Sequence, residues 1–268
     1  MNFLNLPKKS LGQNFLIDKN IIRKISNIVE IKKNTKILEI GPGYGNLTEE
    51  IIKKKPEFLY AVEKDKKLAI FLKKNYKKFR NLKIINEDIL NFLKIKSSED
   101  NFVVFGNLPY NISTKILTTL ILIKKWPPWY NNLIFMFRKE VADRILAKNN
   151  TKKFGRLSVL CNWRLEIKKH FDISKNCFYP KPKVNSTLLS FKPKNDNKYI
   201  INNPKNLEFV TRILFSNRRK MIKKNIYKLF SNNENAIKDL RLNLECRPGE
   251  LSSETYYKIT LKYEKLNL

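Results

Sequence analysis

The chain has 268 residues, 42% of them hydrophobic, which is enough to bury the cores of one large and one small domain and excludes a disordered tail. Fifty-five Lys and Arg against 24 Asp and Glu give a formal charge of +31, so an acidic polymer, nucleic acid first, is the expected partner, although Lys, Asn and Ile crowd even ordinary loops. The scattered Cys161, Cys177 and Cys246 and the lone His170 exclude a disulfide framework, a metal-ligand spacing and an imidazole-based triad, and no apolar run reaches membrane-spanning length.

The N-terminus carries neither a secretory apolar core nor a transit segment, so a cytoplasmic, monomeric, metal-free protein is expected. Lys8 to Asp18 is a basic, amide-bearing arm expected to lie across the next element, and Asp18 is placed to cap a helix through Ile21, Ile25, Ile28 and Val29. Lys36–Ile40 reads as a central strand, followed by Gly41-Pro42-Gly43-Tyr44-Gly45 and a helix through Leu47, Ile51 and Ile52, a nucleotide-type strand, glycine turn and helix. The strand Phe58–Val62 ends in Glu63, about twenty residues beyond the glycines, where a carboxylate can accept both hydroxyls of a ribose. Asn46 stands where a third glycine would complete a dinucleotide fingerprint, and no phosphate-binding Lys-Ser/Thr pair follows. A nucleoside with an uncharged linker, such as S-adenosylmethionine, therefore fits better than a pyrophosphate, and a nicotinamide dehydrogenase is disfavoured. Leu82–Asn86 is a third strand; it delivers Asp88, which can accept from an adenine amino group or simply cap a helix.

Phe102–Phe105 is a strand buried on both faces, and Gly106-Asn107-Leu108-Pro109-Tyr110 emerges from its carboxyl end, where open α/β sheets place their chemistry. The Asn107 carboxamide oxygen and the Leu108 or Pro109 carbonyl are acceptors held in one direction by the proline, and Tyr110 adds a flat face. Together they suit a planar ring bearing an amino group, adenine or cytosine; a proline turn with a core tyrosine is the plainer alternative. Ser113 then opens a helix through Ile121, Leu133–Phe137 is a fifth strand, and Arg138 to Ile145 starts an amphipathic helix. Trp163 to Phe171 is a further strand, with His170 a surface residue at its end, and Thr187–Phe191 is the last. The order implies a doubly wound α/β sheet with an antiparallel pair closing one edge. Phe178, ahead of the stiffened loop Tyr179 to Ser186, is placed as a second wall of a base clamp, or as a loop aromatic covering the sheet edge. Polar residues from Lys192 to Asn206 mark a linker, which divides the chain into 1–192 and a helical 193–268. In the latter, Arg218, Arg219, Lys220, Lys223 and Lys224 lie on a helix whose other face, Met221, Ile222 and Ile226, packs inward; they are the expected RNA-backbone contacts.

These motifs resemble, almost from end to end, the small-subunit dimethyladenosine transferases among the ribosomal RNA adenine dimethyltransferases. Leu11-Gly12-Gln13-Asn14-Phe15-Leu16, Glu39-Ile40-Gly41-Pro42-Gly43, Asn107 to Ser113, Lys139-Glu140-Val141, Gly155 to Ser158 and Pro182-Lys183-Val184 occur in that family's order. The resemblance implies a Rossmann-like class I methyltransferase domain with a small all-helical C-terminal domain that binds rRNA. It also implies cofactor contacts at Asn14, Leu16, Gly41, Glu63, Asp88 and Asn107, and catalysis by Asn107, Leu108, Pro109, Tyr110 and Phe178. Its substrate would be small-subunit RNA or the immature small subunit, dimethylated on two adjacent adenosines of a 3′-terminal hairpin. Arg138 departs from a frequent glutamine, and Asn185 from a common acidic residue. Asn185 also occurs in the sister group that methylates large-subunit RNA and gives macrolide resistance, so that group stays an alternative, as does a non-catalytic ribosome-assembly factor.

Overall fold

A computed structural model describes residues 12–95, 101–196 and 198–266. The arm expected from Lys8 therefore lies outside the described residues as far as Leu11, and Asn197 of the expected linker does too. The described residues of Met1–Thr119, Pro128–Ala142 and Lys168–Pro193 form one compact unit, and those of Leu120–Pro127, Asp143–Ile167 and Lys194–Leu268 a second.

The first unit is built on a seven-stranded sheet. In chain order its strands are β2 (Lys36–Ile40), β3 (Phe58–Glu63), β4 (Leu82–Asn86), β5 (Phe102–Gly106), β6 (Tyr130–Arg138), β7 (Leu165–Ile173) and β9 (Ser186–Pro193), laid side by side as β4-β3-β2-β5-β6-β9-β7. From β4 to β6 the pairs are parallel, and β9 runs antiparallel to β6. Strands covered on both faces need no alternation: all of β5 is buried, as are four of the five residues of β2. The helices α1 (Lys19–Ser26), α2 (Asn46–Ile52), α3 (Lys66–Asn75), α4 (Ile89–Ile95) and α5 (Ser113–Ile121) alternate with these strands, and α6 (Lys139–Ile145) follows β6. Asp18 caps α1, its Oδ1 accepting from the amides of Asn20 and Ile21, both at 2.9 Å. The helix stops at Ser26, short of Ile28 and Val29, which pack against the core as partly buried residues beyond its end. Ser113 is the first residue of α5 and not its cap; its hydroxyl donates back to the Tyr110 carbonyl.

A second, two-stranded sheet escaped sequence reading. In it β1 (Phe15–Leu16) pairs antiparallel with β8 (Phe178–Tyr179), and two residues per strand are too few to show any period. The expected strand from Trp163 begins at Leu165, because α7 (Arg156–Arg164) holds Trp163 within the second unit. His170 lies inside β7 rather than at its end, half-buried, with Nε2 2.8 Å from Ser190 Oγ.

In the second unit α8 (Pro204–Leu214) packs on α7 and α11 (Ser253–Leu266), with α9 (Lys223–Leu229) and α10 (Glu234–Asp239) between them in sequence. Glu264, 5% exposed, holds the start of α8: its carboxylate accepts from the amides of Asn202 and Asn203 and from Asn206 Nδ2 at 2.8 to 3.0 Å. The Phe215 and Tyr256 rings stack with centroids 5.2 Å apart. Arg218 to Ile222 form a turn ahead of α9, not the expected helix, and Met221 is 57% exposed instead of packing inward. Among the described residues no helix is long and apolar enough to cross a membrane, and no group of His, Cys, Asp and Glu could hold a metal ion.

Candidate active site

The carboxyl ends of β2, β3, β4 and β5 converge on one cavity. Gly41 and Gly43 line it after β2, Glu63 and Lys64 after β3, Glu87 and Asp88 after β4, and Asn107 through Ile112 after β5. Gly12 to Phe15 complete the wall. This N-terminal stretch is bound at several points. Asn107 Nδ2 donates to the Asn14 carbonyl at 2.9 Å, Asn46 Nδ2 to the Leu16 carbonyl at 2.7 Å, Gln13 Nε2 to Asp65 Oδ2 at 3.3 Å, and the Ile17 amide to the Cys177 carbonyl at 2.9 Å.

Asn107 spends its nitrogen on Asn14, and among the described residues nothing donates to its Oδ1. The Pro109 carbonyl accepts from the Ile112 amide at 3.1 Å, closing a turn, whereas the Leu108 carbonyl receives nothing from the described residues. The open acceptors of the motif are thus Asn107 Oδ1 and Leu108 O. Leu108 buries its side chain, 2% exposed, and so pins the backbone that carries that carbonyl. Tyr110 is half-buried on the same wall. Its hydroxyl lies 2.6 Å from Ser186 Oγ, the Arg138 guanidinium sits 4.9 Å from its ring centroid, and burial pushes its phenol pKa up.

Glu63 lies 7% exposed, with Oε2 accepting from the Gly43 amide at 3.1 Å and Oε1 from the Asp65 amide at 2.8 Å. Burial raises its pKa, and these two N–H groups oppose the rise. Each oxygen keeps a lone pair for a ligand hydroxyl. Asp88 does what the plainer reading allowed: Oδ1 caps α4 by accepting from the Leu90 amide at 2.9 Å, and Oδ2 pairs with Lys64 Nζ at 2.8 Å, which lowers its pKa. It lines the cavity nonetheless. Gly43, at φ +61°, has the Phe15 ring so close that a Cβ would lie 2.7 Å from it. Phe15 in turn meets the Tyr44 ring edge-on, with centroids 4.6 Å apart.

Two expected residues are not on the cavity. Leu16 is 5% exposed in the core and offers the site only its carbonyl, through Asn46. Phe178, expected as a clamp wall, is 3% exposed and belongs to the buried apolar cluster of Leu16, Ile22, Ile173 and Leu188. The reason is strand alternation: β8 pairs Phe178 with Leu16 and Tyr179 with Phe15, so one aromatic turns inward and the next, Tyr179, is 40% exposed. Sequence reading also missed Glu39, 2% exposed on β2. Thr48 Oγ donates to its Oε2 at 2.6 Å, and burial lifts its pKa to about 7. An acidic residue inside an otherwise apolar strand was the available signal.

The expected RNA contacts lie in the second unit. Arg219, Lys220, Lys223 and Lys224 line an open groove together with Met221, Asn225 and Tyr227. Arg218 is outside it, donating through Nη2 to the carbonyls of Thr151 and Lys152, and so ties a loop of its own unit.

A family model described as ribosomal RNA adenine dimethylase matches residues 4–265. The chain is 49% identical, over 97% of each sequence, to a ribosomal RNA small subunit methyltransferase A of Pelagibacter ubique. Its fold is similar to the crystal structure of a dimethyladenosine transferase from Plasmodium falciparum, at 25% identity with a TM-score of 0.75, covering 95% of this chain and 98% of that one. The fold is also similar to that of the 23S rRNA methyltransferase ErmE, at 20% identity with a TM-score of 0.67, over 93% and 99% of the two chains.

Proposed function

The chain belongs to the ribosomal RNA adenine dimethylase family and is an rRNA adenine methyltransferase, and from that premise we propose that it uses S-adenosylmethionine to dimethylate two adjacent adenosines near the 3′ end of small-subunit RNA. The observation that carries the reading is the notch at Asn107: one carboxamide oxygen and one main-chain carbonyl, both open, beside a tyrosine face on the wall of a cavity that Gly41 and Glu63 also line.

The residues present fit the adenosyl group. A Cβ at Gly41 would find only the Asn107 carbonyl, 3.8 Å away, so the glycine leaves a bare shelf; Glu63 offers a fixed pair of carboxylate oxygens for a ribose; and Asp88 and the Ile89 side chain suit an adenine. When bound, S-adenosylmethionine supplies an electrophilic sulfonium methyl group. Asn107 Oδ1 and the Leu108 carbonyl accept the two N–H bonds of the target 6-amino group and fix the direction of its lone pair. Both acceptors strengthen as positive charge reaches that nitrogen, so they stabilise the transition state more than the ground state. No strong base is required, because the amine proton turns acidic only after transfer and leaves to water. Tyr110 stacks on the extruded base, which returns about 1 to 3 kcal/mol of the few that unstacking costs. After the first transfer one N–H remains, and one of the two acceptors still orients the nitrogen for the second.

The small-subunit assignment is supported by the 49% identity to a relative bearing that name. Cations of the second unit, Arg219, Lys220, Lys223 and Lys224, are assigned to the RNA backbone, within a C-terminal region 193–268 that serves as the RNA-binding part. The deciding experiment is incubation with labelled S-adenosylmethionine and small-subunit RNA or immature small subunits, followed by nucleoside analysis. Dimethyladenosine in small-subunit RNA is expected. Product confined to large-subunit RNA would overturn the assignment.

A further inference from the structure

The groove of the second unit carries more than charge. Asn225, 7% exposed on α9, directs its Nδ2 to the Leu214 carbonyl at 3.3 Å and lies 3.5 Å from Ser216 Oγ. Among the described residues nothing donates to its Oδ1, and the side chain lines the groove. A buried carboxamide with its nitrogen committed presents a fixed acceptor, as Asn107 does in the first unit. Beside it stand the Tyr227 ring, half-buried, and the exposed Met221 thioether, both ringed by Lys and Arg.

A surface that only grips phosphates has no use for a fixed acceptor, a ring and a bare methionine, since the phosphate carries no N–H and no π-face. We propose that this groove is a second base-binding site that takes one unpaired, amino-bearing nucleotide of the RNA, adenosine or cytidine. Tyr227 and Met221 contact the face of the base, Asn225 Oδ1 accepts from its exocyclic amino group, and Lys223 and Lys228 hold the flanking phosphates. Cytidine and adenosine both offer that N–H; uridine offers a carbonyl at the same edge and is rejected. The inference rests on the RNA-binding reading of this unit but not on methyl transfer.

The test measures binding of short homopolymeric oligoribonucleotides of adenosine, cytidine or uridine to the full-length chain by fluorescence anisotropy across a salt series. The measurement is repeated in a Tyr110→Ala background, which removes the other base-stacking wall. Oligoadenosine and oligocytidine should bind more tightly than oligouridine. Tyr227→Leu should weaken them roughly tenfold with the salt dependence unchanged, whereas Lys228→Ala should weaken all three alike and flatten the salt dependence. Asn225→Asp should abolish the preference over uridine. Because Asn225 also braces Leu214, melting curves accompany it, and Tyr227→Leu decides the matter if that variant unfolds. Equal affinity for the three oligomers, or no effect of Tyr227→Leu, would leave a merely cationic surface and overturn the proposal. Methyl transfer into small-subunit RNA is measured in parallel; its loss would sink the activity while the base preference stayed readable.

Discussion

The cavity of the first unit and the groove of the second each turn on an asparagine whose nitrogen is committed to a main-chain carbonyl, Asn107 to Asn14 and Asn225 to Leu214. Their surroundings have opposite sign. The cavity in a chain of charge +31 is lined by Glu63, Glu87 and Asp88 against Lys64, while in the groove Arg219, Lys220, Lys223, Lys224, Lys228 and Arg247 outnumber Glu245 and Glu250. The difference separates chemistry from grip. An acidic, glycine-floored pocket favours a cationic donor and a nitrogen that becomes positive, whereas a basic groove favours the polyanion that brings the nitrogen there. Moving either lining to the other place would defeat both tasks.

The sharpest way to break the contrast is at Phe178. If its ring is a core element, Phe178→Ala should lower folding stability by about 3 to 5 kcal/mol, read as a shifted denaturant midpoint. A variant of unchanged stability that lost only turnover would restore the ring to the cavity wall. Asn107→Ala comes next, with single-turnover methyl transfer falling on the order of a hundredfold and calorimetric affinity for S-adenosylmethionine largely kept. Equal losses of both would make Asn107 a cofactor ligand rather than an orienting group.

Glu39 tests the buried acid beneath the cavity. Its pKa of about 7 in the folded chain stands above the ordinary 4.5, so the native state binds the extra proton. Stability is therefore undiminished below pH 4.5 and falls as pH rises from there through about 7. Glu39→Gln should remove that slope and stabilise the protein above pH 7 by roughly 2 to 3 kcal/mol, from about 1.4 kcal/mol per pKa unit, with thermal melts across pH as the check. The smallest effect is expected in the groove. Lys223→Ala should reduce RNA affinity a few-fold and flatten the slope of log affinity against log salt by about 0.7 to 0.9, while cofactor affinity stays put.

Much of the first unit was legible because buried parallel strands advertise themselves. Lys36–Ile40, Phe58–Val62, Leu82–Asn86 and the β5 run each appear as a short apolar or β-branched stretch ending in glycine, carboxylate or asparagine, and the structure has a strand at each. The convergence of Gly41, Glu63, Asp88 and Asn107 follows from that rule of strand ends. What stayed hidden depends on non-local partners. The two-residue pairing of β1 with β8 has no period of its own, yet it decides that Phe178 faces inward. Likewise, Arg218 to Ile222 alternates charge and apolarity as a helix would, but it turns: the amides of Ile222 and Lys223 donate to the carbonyls of Cys246 and Leu244, partners more than twenty residues away.

The Asn107 carboxamide has one further consequence. Its Nδ2 is a clasp on the strand-like stretch that walls the cavity, and its Oδ1 is the group the substrate amine would meet. The side chain is thereby an interlock. Lifting Asn14 away unfastens the amide, lets it rotate, and disarms the notch, so the same small displacement that opens the donor's compartment also switches off the acceptor side.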